Sequence, residues 1–166
     1  MHVAKIESSV VTLRKATMAD AQRLFDWRTD ALTRENSIST HPVEWDGHLA
    51  WLERTIGGAA ARTRPSTTSL YVAEVAESPV GTVRTEEKDG YVEISYTIAP
   101  EWRGRGLGKV MAVLCKEEYL AGKNLRALIK KGHVPSEAIA AALGLFPMFE
   151  EGSKDADDPR PIVEWR

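Results

Sequence analysis

The chain has 166 residues, 43% of them hydrophobic and 28% charged, and its 22 Lys and Arg against 24 Asp and Glu give a net charge of −2. This size predicts one domain over residues 1–166, with a core that needs no disulfide or metal. The charge balance argues against nucleic acid or an anionic membrane as the main partner. The single Cys115 cannot form an internal disulfide, and the sequence shows neither a signal-peptide pattern nor an apolar run of about 18 residues, so we expect a cytoplasmic protein.

The N-terminal part of the chain predicts one strand followed by two helices. Thr17 and Asp20 have the spacing of a helix cap, and apolar residues recur at helical intervals after them. The expected elements are a strand at residues 10–14, a helix from the cap to about residue 29 and a polar segment at 33–42. A second helix follows, with Trp45, Leu49, Leu52 and Ile56 on one face. This helix ends at Gly57-Gly58, and a loop is expected at 62–69.

The rest of the chain predicts three strands in close succession, then alternating helices and strands. Ser78-Pro79 and Lys88-Asp89-Gly90 are typical of turns between the three strands. The acidic run at 155–159 predicts a solvated loop between two short final strands. The expected bounds are strands at 69–75, 80–86, 91–99 and 125–129 and helices at 106–120 and 136–143. The order β-α-α-β-β-β-α-β-α-β-β predicts an α/β protein with a mixed sheet and helices on both faces.

A glycine-rich turn joins the strand that ends near Ile98 to the next helix. Glycines at alternate positions remove side chains where a ligand would approach the backbone, and the first amides of a helix have no partners within it. Cationic side chains flank these amides. The turn, which is Arg103-Gly104-Arg105-Gly106-Leu107-Gly108-Lys109, therefore predicts a cradle for a pyrophosphate.

Two nucleotide motifs fail in this turn. A phosphate-binding P-loop would need a glycine where Arg103 stands and a Ser or Thr where Val110 stands. A dinucleotide fingerprint built on Gly104 and Gly106 would need a glycine at Lys109. Neither motif explains the turn.

The segment resembles the GCN5-related N-acetyltransferases (the GNAT family), whose acetyl-CoA motif is Gln/Arg-x-x-Gly-x-Gly/Ala. It stands here at residues 103–108, after Ile98-Ala99-Pro100-Glu101. The resemblance spans nearly the whole chain and is weakest after about residue 149. It implies acetyl-CoA as the acetyl donor, no metal, and a pantetheine arm lying between the strand that carries Tyr96 and the strand at 125–129.

The chain departs from the family pattern in the second half of the motif region. Members usually place an Asn after the second of these strands, and here that position is His133, followed by Ser136. A Tyr seven residues after the Asn serves many members as the general acid, and here that position is Ala140. The usual Gly-Phe pair is Gly144-Leu145. The resemblance therefore implies cofactor contacts at His133 and Ser136 but leaves the protonation step without its usual residue.

Transfer to an amine needs a base, because an ammonium has no lone pair with which to attack a thioester. Glu93 lies on the motif strand, where family members often carry a Glu, and is the candidate base. The backbone N–H of Ile98 is a candidate donor to the developing oxyanion. Tyr96 or His133 could protonate the leaving thiolate, whose pKa near 8.5 makes an acid less necessary than for an alkoxide.

Acceptor choice in this fold depends on the first two helices. The segments Trp27-Arg28-Thr29-Asp30, Thr33-Arg34 and His48-Leu49-Ala50-Trp51 resemble the branch that acetylates amino groups of nucleotide-linked deoxysugars. The resemblance implies substrate contacts at Trp27, Arg28, Arg34 and His48, although Trp45 and Trp51 also fit the core face of a helix.

Two alternatives stand beside an amino-sugar acceptor. Ribosomal-protein N-terminal acetyltransferases share much of this layout, and Ala140 with His133 would also suit a non-catalytic acyl-CoA-binding module. The expected partner is a small-molecule amine, with no nucleic acid and no membrane, and a homodimer is left open.

Overall fold

The structure, a computed structural model, describes residues 4–57 and 66–166. Gly58 and residues 62–65 of the expected loop at 62–69 lie outside these ranges, and Thr68 and Ser69 of that loop belong to the second strand. The strands are β1 (Val11–Lys15), β2 (Thr68–Val75), β3 (Ser78–Lys88), β4 (Tyr91–Ile98), β5 (Leu125–Lys130), β6 (Pro147–Glu151) and β7 (Ile162–Trp165). The helices are α1 (Ala21–Thr29), α2 (Ala31–Asn36), α3 (Trp45–Thr55), α4 (Leu107–Tyr119) and α5 (Val134–Ala142).

The strands form one seven-stranded sheet in the order β1-β2-β3-β4-β5-β7-β6. All neighbouring pairs are antiparallel except β4 and β5, which are parallel and are joined through α4. The predicted α/β class with a mixed sheet is confirmed.

Helices cover both faces of the sheet. On one face, Met111 and Ala112 of α4 are fully buried against Val83 and Ile94 of the central strands. On the other face, Leu52 of α3 is fully buried with Val72 of β2. No helix in the described ranges is both long and apolar enough to cross a membrane.

The polar segment expected at 33–42 begins with a short helix, α2, which the sequence prediction missed. Its start follows from Asp30, whose side chain accepts a hydrogen bond from the Thr33 backbone N–H at 3.1 Å and so caps the helix. In the described part of the chain, three α-helices rather than two therefore lie between β1 and β2. The added helix lies on the side of the molecule where the acceptor residues were expected.

One of the two predicted hairpin turns is displaced. The β2–β3 turn lies at Ala76-Glu77, where both residues have positive φ (49° and 65°), and Ser78 and Pro79 belong to β3. The second turn is as predicted, with Asp89 and Gly90 at φ of 54° and 79°. A two-residue turn with positive φ at both positions matches the right-handed twist of the flanking strands. This match places the turn at Ala76-Glu77, although Ser and Pro are the more typical turn residues.

The acidic run at 155–159 lies between the two final strands as predicted, but two of its three carboxylates are not solvated. Asp155 and Asp158 are each only 9% exposed. Asp155 accepts a hydrogen bond from the Thr40 backbone N–H at 3.2 Å, and Asp158 lies 2.6 Å from the Lys130 Nζ of β5. Partners distant in the sequence compensate these carboxylates, so the run is part of the packed structure.

Candidate active site

A fork opens in the middle of the sheet between β4 and β5. The two strands pair only at Val92–Leu125 and Glu93–Arg126, although β4 continues to Ile98 and β5 to Lys130. Beyond Glu93 the facing edges of both strands are unpaired with each other. The fork is the gap that the resemblance implied for the pantetheine arm.

Backbone N–H groups of β4 point into the fork. The Val92 N–H donates to the Asn124 carbonyl at 2.8 Å on the β5 side, and the Ala99 N–H donates to Val80 of β3 at 2.9 Å. Because successive amides of a strand point in opposite directions, those of Tyr96 and Ile98 point toward β5, like that of Val92. Tyr96 and Ile98 therefore offer donors along one wall of the gap.

The glycine-rich turn forms an open cradle at the end of β4. Gly104 and Gly106 have φ of 75° and 76°, and a Cβ atom added to either would meet nothing within 4 Å. Within the described residues, the backbone N–H groups of 104–109 have no hydrogen-bond acceptor. Lys109 is exposed in the first turn of α4. Free amides at a helix N-terminus beside a cation suit an anionic group, so these residues fit a pyrophosphate.

Two other residues of the motif serve packing. A Cβ on Gly108 would lie 2.8 Å from the Ile139 Cδ1 atom and 3.2 Å from the Tyr96 ring, so this glycine lets α4 approach β4 and α5 closely. Leu107 is 2% exposed, and its side chain belongs to the core. Leu107 can therefore contact a ligand only through its backbone.

The arginines of the turn contact protein groups. The Nη2 of Arg103 forms an ion pair with the Asp30 carboxylate and donates to the Thr33 hydroxyl at 3.0 Å. The Arg103 guanidinium holds the pKa of Asp30 below its usual range. Arg105 lies over the Trp102 ring, 4.6 Å from its centroid. Of the three cations expected beside the pyrophosphate, Lys109 is the one whose charge has no protein partner in the described ranges.

Three of the sequence-predicted residues form a hydrogen-bonded chain. The Tyr96 hydroxyl lies 2.7 Å from the Ser136 Oγ, which in turn lies 2.7 Å from the His133 Nδ1. Burial raises the pKa of Tyr96, and the Ser136 hydrogen bond acts against it. Burial, followed by the Arg160 charge, lowers the pKa of His133. At neutral pH both rings are therefore uncharged.

Glu93 lies at the closed end of the fork, on the sheet face opposite the core of α4. Val92 and Ile94 are buried against α4, and side chains alternate along a strand, so Glu93 projects to the other face. Its carboxylate lies 3.3 Å from an Arg126 Nη, and across the ladder it faces Glu86 of β3. A proton acceptor is thus available on this face, beside a guanidinium.

Cationic side chains collect on the same face near α1 and α2. Arg28 donates to the Ser37 hydroxyl at 2.9 Å, and Arg34 donates to the Thr40 carbonyl at 3.1 Å. Burial lowers the pKa of Arg28, and the charges of Arg84 and Arg34 lower it further. The Arg34 Nε is buried without a hydrogen-bond partner in the described ranges. Neither Arg28 nor Arg34 forms an ion pair with a described carboxylate.

Two expected acceptor contacts, Trp27 and His48, lie in the core. Trp27 is 8% exposed and packs with Leu24 and Leu52. His48 is 4% exposed, and its Nε2 donates to the Ala21 carbonyl at 2.9 Å, which ties α3 to α1. These positions correct the expectation, because neither side chain can reach a ligand in this arrangement.

The sequence prediction also missed residues that hold α2 in place. Lys130 of β5 and Arg160 both donate to the Glu35 carbonyl, at 2.9 and 2.8 Å, and both contact Asp158. Cations at the C-terminal end of a helix are favourable because the carbonyls there carry partial negative charge. The segment between β6 and β7 therefore fixes the helix beside Arg28 and Arg34. The sequence prediction also missed Arg84, which lies near Arg28. Side chains alternate along a strand, so its position between Val83 and Thr85 indicates that it projects to the opposite face of the sheet from them.

In the described ranges no group of three or more His, Cys, Asp or Glu residues could hold a metal ion. The candidate site thus consists of the cradle, the fork with its free amides, the chain of Tyr96, Ser136 and His133, and the charged face that carries Glu93 and the arginines.

Comparison with solved structures identifies the architecture. Spermidine N-acetyltransferase from Vibrio cholerae, in complex with CoA and spermine, has a TM-score of 0.77 at 13% identity over 95% of this chain and 94% of its own. A Brucella melitensis ribosomal-protein-alanine N-acetyltransferase has a TM-score of 0.72 at 23% identity over 93% and 97%. A Salmonella typhimurium protein with its cofactor acetyl-CoA has a TM-score of 0.71 at 22% identity over 94% and 92%. At these identities the likeness shows the fold.

The family assignment rests on the sequence. No curated protein matches the chain. The acetyltransferase (GNAT) domain family matches residues 11–145, which contain β1, the cradle, both walls of the fork and α5. This match confirms the resemblance based on residues 98–108. The chain is therefore an enzyme of the GNAT acetyltransferase family.

Proposed function

We propose that the enzyme transfers an acetyl group from acetyl-CoA directly to a primary amine of a small anionic molecule, with a nucleotide-linked amino sugar as the first candidate. The observation that carries this proposal is the fork, which joins an anion cradle at its open end to a carboxylate at its closed end. A donor lying in the fork would bring its acyl end toward Glu93 while its phosphates remain at the cradle.

The donor side of the proposal rests on free backbone groups. The amides of 104–109 and Lys109 would hold the pyrophosphate, and the inward amides of Tyr96 and Ile98 would bind the amide-containing arm as a neighbouring strand would. His133 and Ser136 lie at the start of α5, beside Tyr96, and would contact the same arm. Acetyl-CoA supplies an acyl group activated as a thioester.

The transfer itself needs two kinds of group from the protein. Glu93 would accept a proton from the acceptor ammonium, directly or through a water, and so produce the neutral amine. A Tyr96 or Ile98 backbone N–H would donate to the carbonyl oxygen as negative charge develops there. Both functions are held by β4, a central strand paired on its full length with β3. A rigid strand holds them in constant relative position.

The arginines near α1 and α2 support an anionic acceptor. Burial lowers the pKa of Arg28, and the charges of Arg84 and Arg34 repel its charge and lower this pKa further. Arg84 also lies 3.7 Å from the Glu86 carboxylate. A phosphate or carboxylate on the acceptor would relieve that repulsion and satisfy the unpartnered Arg34 Nε. A polyamine would bring further positive charge to the same place. This observation favours an amino-sugar nucleotide over spermidine-like amines, although both carry primary amino groups.

A turnover assay tests the proposal by following release of the CoA thiol with amino-sugar nucleotides, polyamines and N-terminal peptides as acceptors. We expect turnover with the anionic amines. In Arg28→Ala, the KM for that acceptor should rise about tenfold or more, with the KM for acetyl-CoA nearly unchanged. Arg23→Ala is the charge-matched control, because it removes a half-buried arginine of the same helix that pairs with Asp20. Preference for polyamines would contradict the acceptor assignment, and CoA binding without turnover in any class would favour a non-catalytic acyl-CoA-binding module.

A further inference from the structure

We infer that Tyr96, Ser136 and His133 form a proton relay that delivers a proton to the departing CoA thiolate, with Tyr96 as the acid and the other two as positioning residues. The inference rests on the proposed function. It assigns the protonation step to side chains from two elements, the strand β4 and the start of α5.

The relay connects the two walls of the fork. Tyr96 belongs to β4, three residues beyond Glu93, the last β4 residue paired with β5. Ser136 and His133 follow β5, at the start of α5. The Tyr96 ring also lies against Gly108 in the first turn of α4. The phenol thus lies between the helix of the cradle and the helix that follows the second wall, on the path from the cradle into the gap.

Counting protons allows two directions for the chain, and the relay requires the one that starts at His133. A hydroxyl has one proton, and a neutral imidazole has one N–H. If the His133 Nδ1–H donates to Ser136, the Ser136 proton is free to donate to the Tyr96 oxygen. The proton of Tyr96 is then not used within the chain. In this arrangement both 2.7 Å contacts are satisfied, and the phenol keeps a donor for a group in the fork.

The surroundings of His133 favour the neutral ring that this direction needs. Burial and the charge of Arg160, from the segment before β7, disfavour the imidazolium, whereas Glu137 of α5 and Glu35 of α2 favour it. The first two effects prevail, and the pKa of His133 lies below its usual value. Burial similarly keeps the Tyr96 phenol protonated.

The next turn of α5 explains why such a relay is needed. Ala140 lies four residues after Ser136, on the same side of the helix, and its side chain has no proton to give. Ala140 is 2% exposed, so the position is also closed to water. The hydroxyl that reaches this side of α5 comes instead from Tyr96, across from β4.

The proton balance of the step is complete. The C–S bond breaks and its electron pair goes to sulfur, which takes the proton of Tyr96. Tyr96 takes the proton of Ser136, Ser136 takes the Nδ1 proton of His133, and the His133 Nε2 takes one from solvent. Before the next turnover the ring must exchange protons with solvent, losing the one on Nε2 and gaining one on Nδ1. The acceptor ammonium loses two protons to solvent through Glu93, one to become the neutral amine and one as the amide forms, so the whole transfer releases one proton.

Nuclear magnetic resonance of ¹⁵N-labelled histidine tests the relay in the free protein, without turnover. We expect His133 in the neutral Nδ1–H form at pH 7 and a loss of that preference in Ser136→Ala. A protonated Nε2 with an accepting Nδ1 would reverse the chain, use up the Tyr96 proton and overturn the inference. This readout does not depend on the acceptor, so failure of the proposed function and failure of the relay are distinguishable.

Kinetics supply the second test, with the acceptor found in the turnover assay. Tyr96→Phe and Ser136→Ala should lower kcat about tenfold at pH 7, with recovery above about pH 8.5, where the thiolate leaves without a proton. Ser136→Thr should restore the rate, and Tyr91→Phe, a change on the opposite face of β4, is the control. In Tyr96→Phe, which keeps the backbone amide, CoA affinity measured by calorimetry should change little. A pH-independent loss, or a loss that follows CoA affinity, would mean that these residues only hold structure or cofactor and would overturn the relay.

Discussion

Arg103, the first residue of the cofactor motif, forms an ion pair with Asp30, the residue that caps α2. The guanidinium also donates to Thr33 in the first turn of that helix, at 3.0 Å. The contact joins the donor cradle to the helix beside the expected acceptor site. A motif residue expected to contact the pyrophosphate thus connects the cradle to the helix beside the proposed acceptor site.

This ion pair predicts coupled effects of substitution. Asp30→Ala and Arg103→Ala should each weaken both acetyl-CoA and acceptor binding several-fold, because each loosens the same junction. The double variant should be no worse than the poorer single one, since the second change removes a contact already lost. Calorimetry with CoA and acceptor KM values would measure this. Additive losses would show that Arg103 contacts the donor independently of Asp30.

The cradle predicts a loss of donor binding on substitution of Gly106. Gly106→Val forces a β-branched residue to φ of 76° and adds a side chain at an open position of the cradle. CoA affinity should fall tenfold or more by calorimetry. Gly122→Val is the matched control, because Gly122 has φ of 74°, equally open surroundings and a position beyond the other end of α4. Equal CoA affinity in a folded Gly106→Val protein would contradict the cradle.

The position of Glu93 predicts a change in both rate and pH profile. Glu93→Gln removes the proton acceptor but keeps size and hydrogen bonding, so turnover at neutral pH should fall about a hundred- to ten-thousand-fold. Higher pH supplies neutral amine from solution and should recover part of the loss. Glu86→Gln is the control, since Glu86 pairs with Glu93 across the ladder. Full activity with an unchanged pH profile in Glu93→Gln would place the base elsewhere.

The buried His48 predicts a loss of stability rather than of acceptor binding. His48→Ala removes a ring packed near Phe25, Trp45 and Trp51 and leaves the Ala21 carbonyl without its donor. The free energy of unfolding should fall by about 2 kcal/mol, which lowers Tm by roughly 4–8 °C in a chain of this size. The exposed His41→Ala serves as control. A raised acceptor KM without a change in Tm would restore His48 as a substrate contact.

The contacts of Asp158 predict a loss of stability in acid. Hydrogen bonds from Arg160 and then Lys130 hold the pKa of this carboxyl well below its usual range. A depressed folded pKa adds stability above the ordinary Asp value near 3.9, and this stability is lost as pH falls through the folded pKa. Asp158→Asn should therefore be less stable than wild type at neutral pH, and the difference should narrow on acidification. Urea unfolding between pH 2 and 7 measures the stability of both proteins. A difference in free energy of unfolding that stays the same over this pH range would show that the Asp158 contacts contribute nothing to the pH dependence.

Most of the correct predictions came from features formed by residues that are contiguous in the sequence. The cradle is one run of the chain, residues 103–109, placed between a strand and a helix, so its glycines, its helix amides and its family match are all visible locally. The order of the elements followed from hydrophobic periodicity, except for α2, whose six residues are too few to show a helical period. The position of the β2–β3 turn was also not visible in the sequence, because the twist of the two strands, and not the residue types, placed the turn at Ala76-Glu77.

Contacts between distant residues could be decided only by tertiary structure. Arg103 and Asp30 are 73 residues apart, Tyr96 and Ser136 are 40 apart, and Lys130 lies 95 residues from the Glu35 carbonyl that it contacts. Composition and spacing identify such side chains as charged or polar, but not as partners, because the partner depends on which strands and helices become neighbours. The burial of Trp27 and His48 was decided in the same way: their pattern fits both a core and a substrate face, and packing of α1 against α3 selected the core.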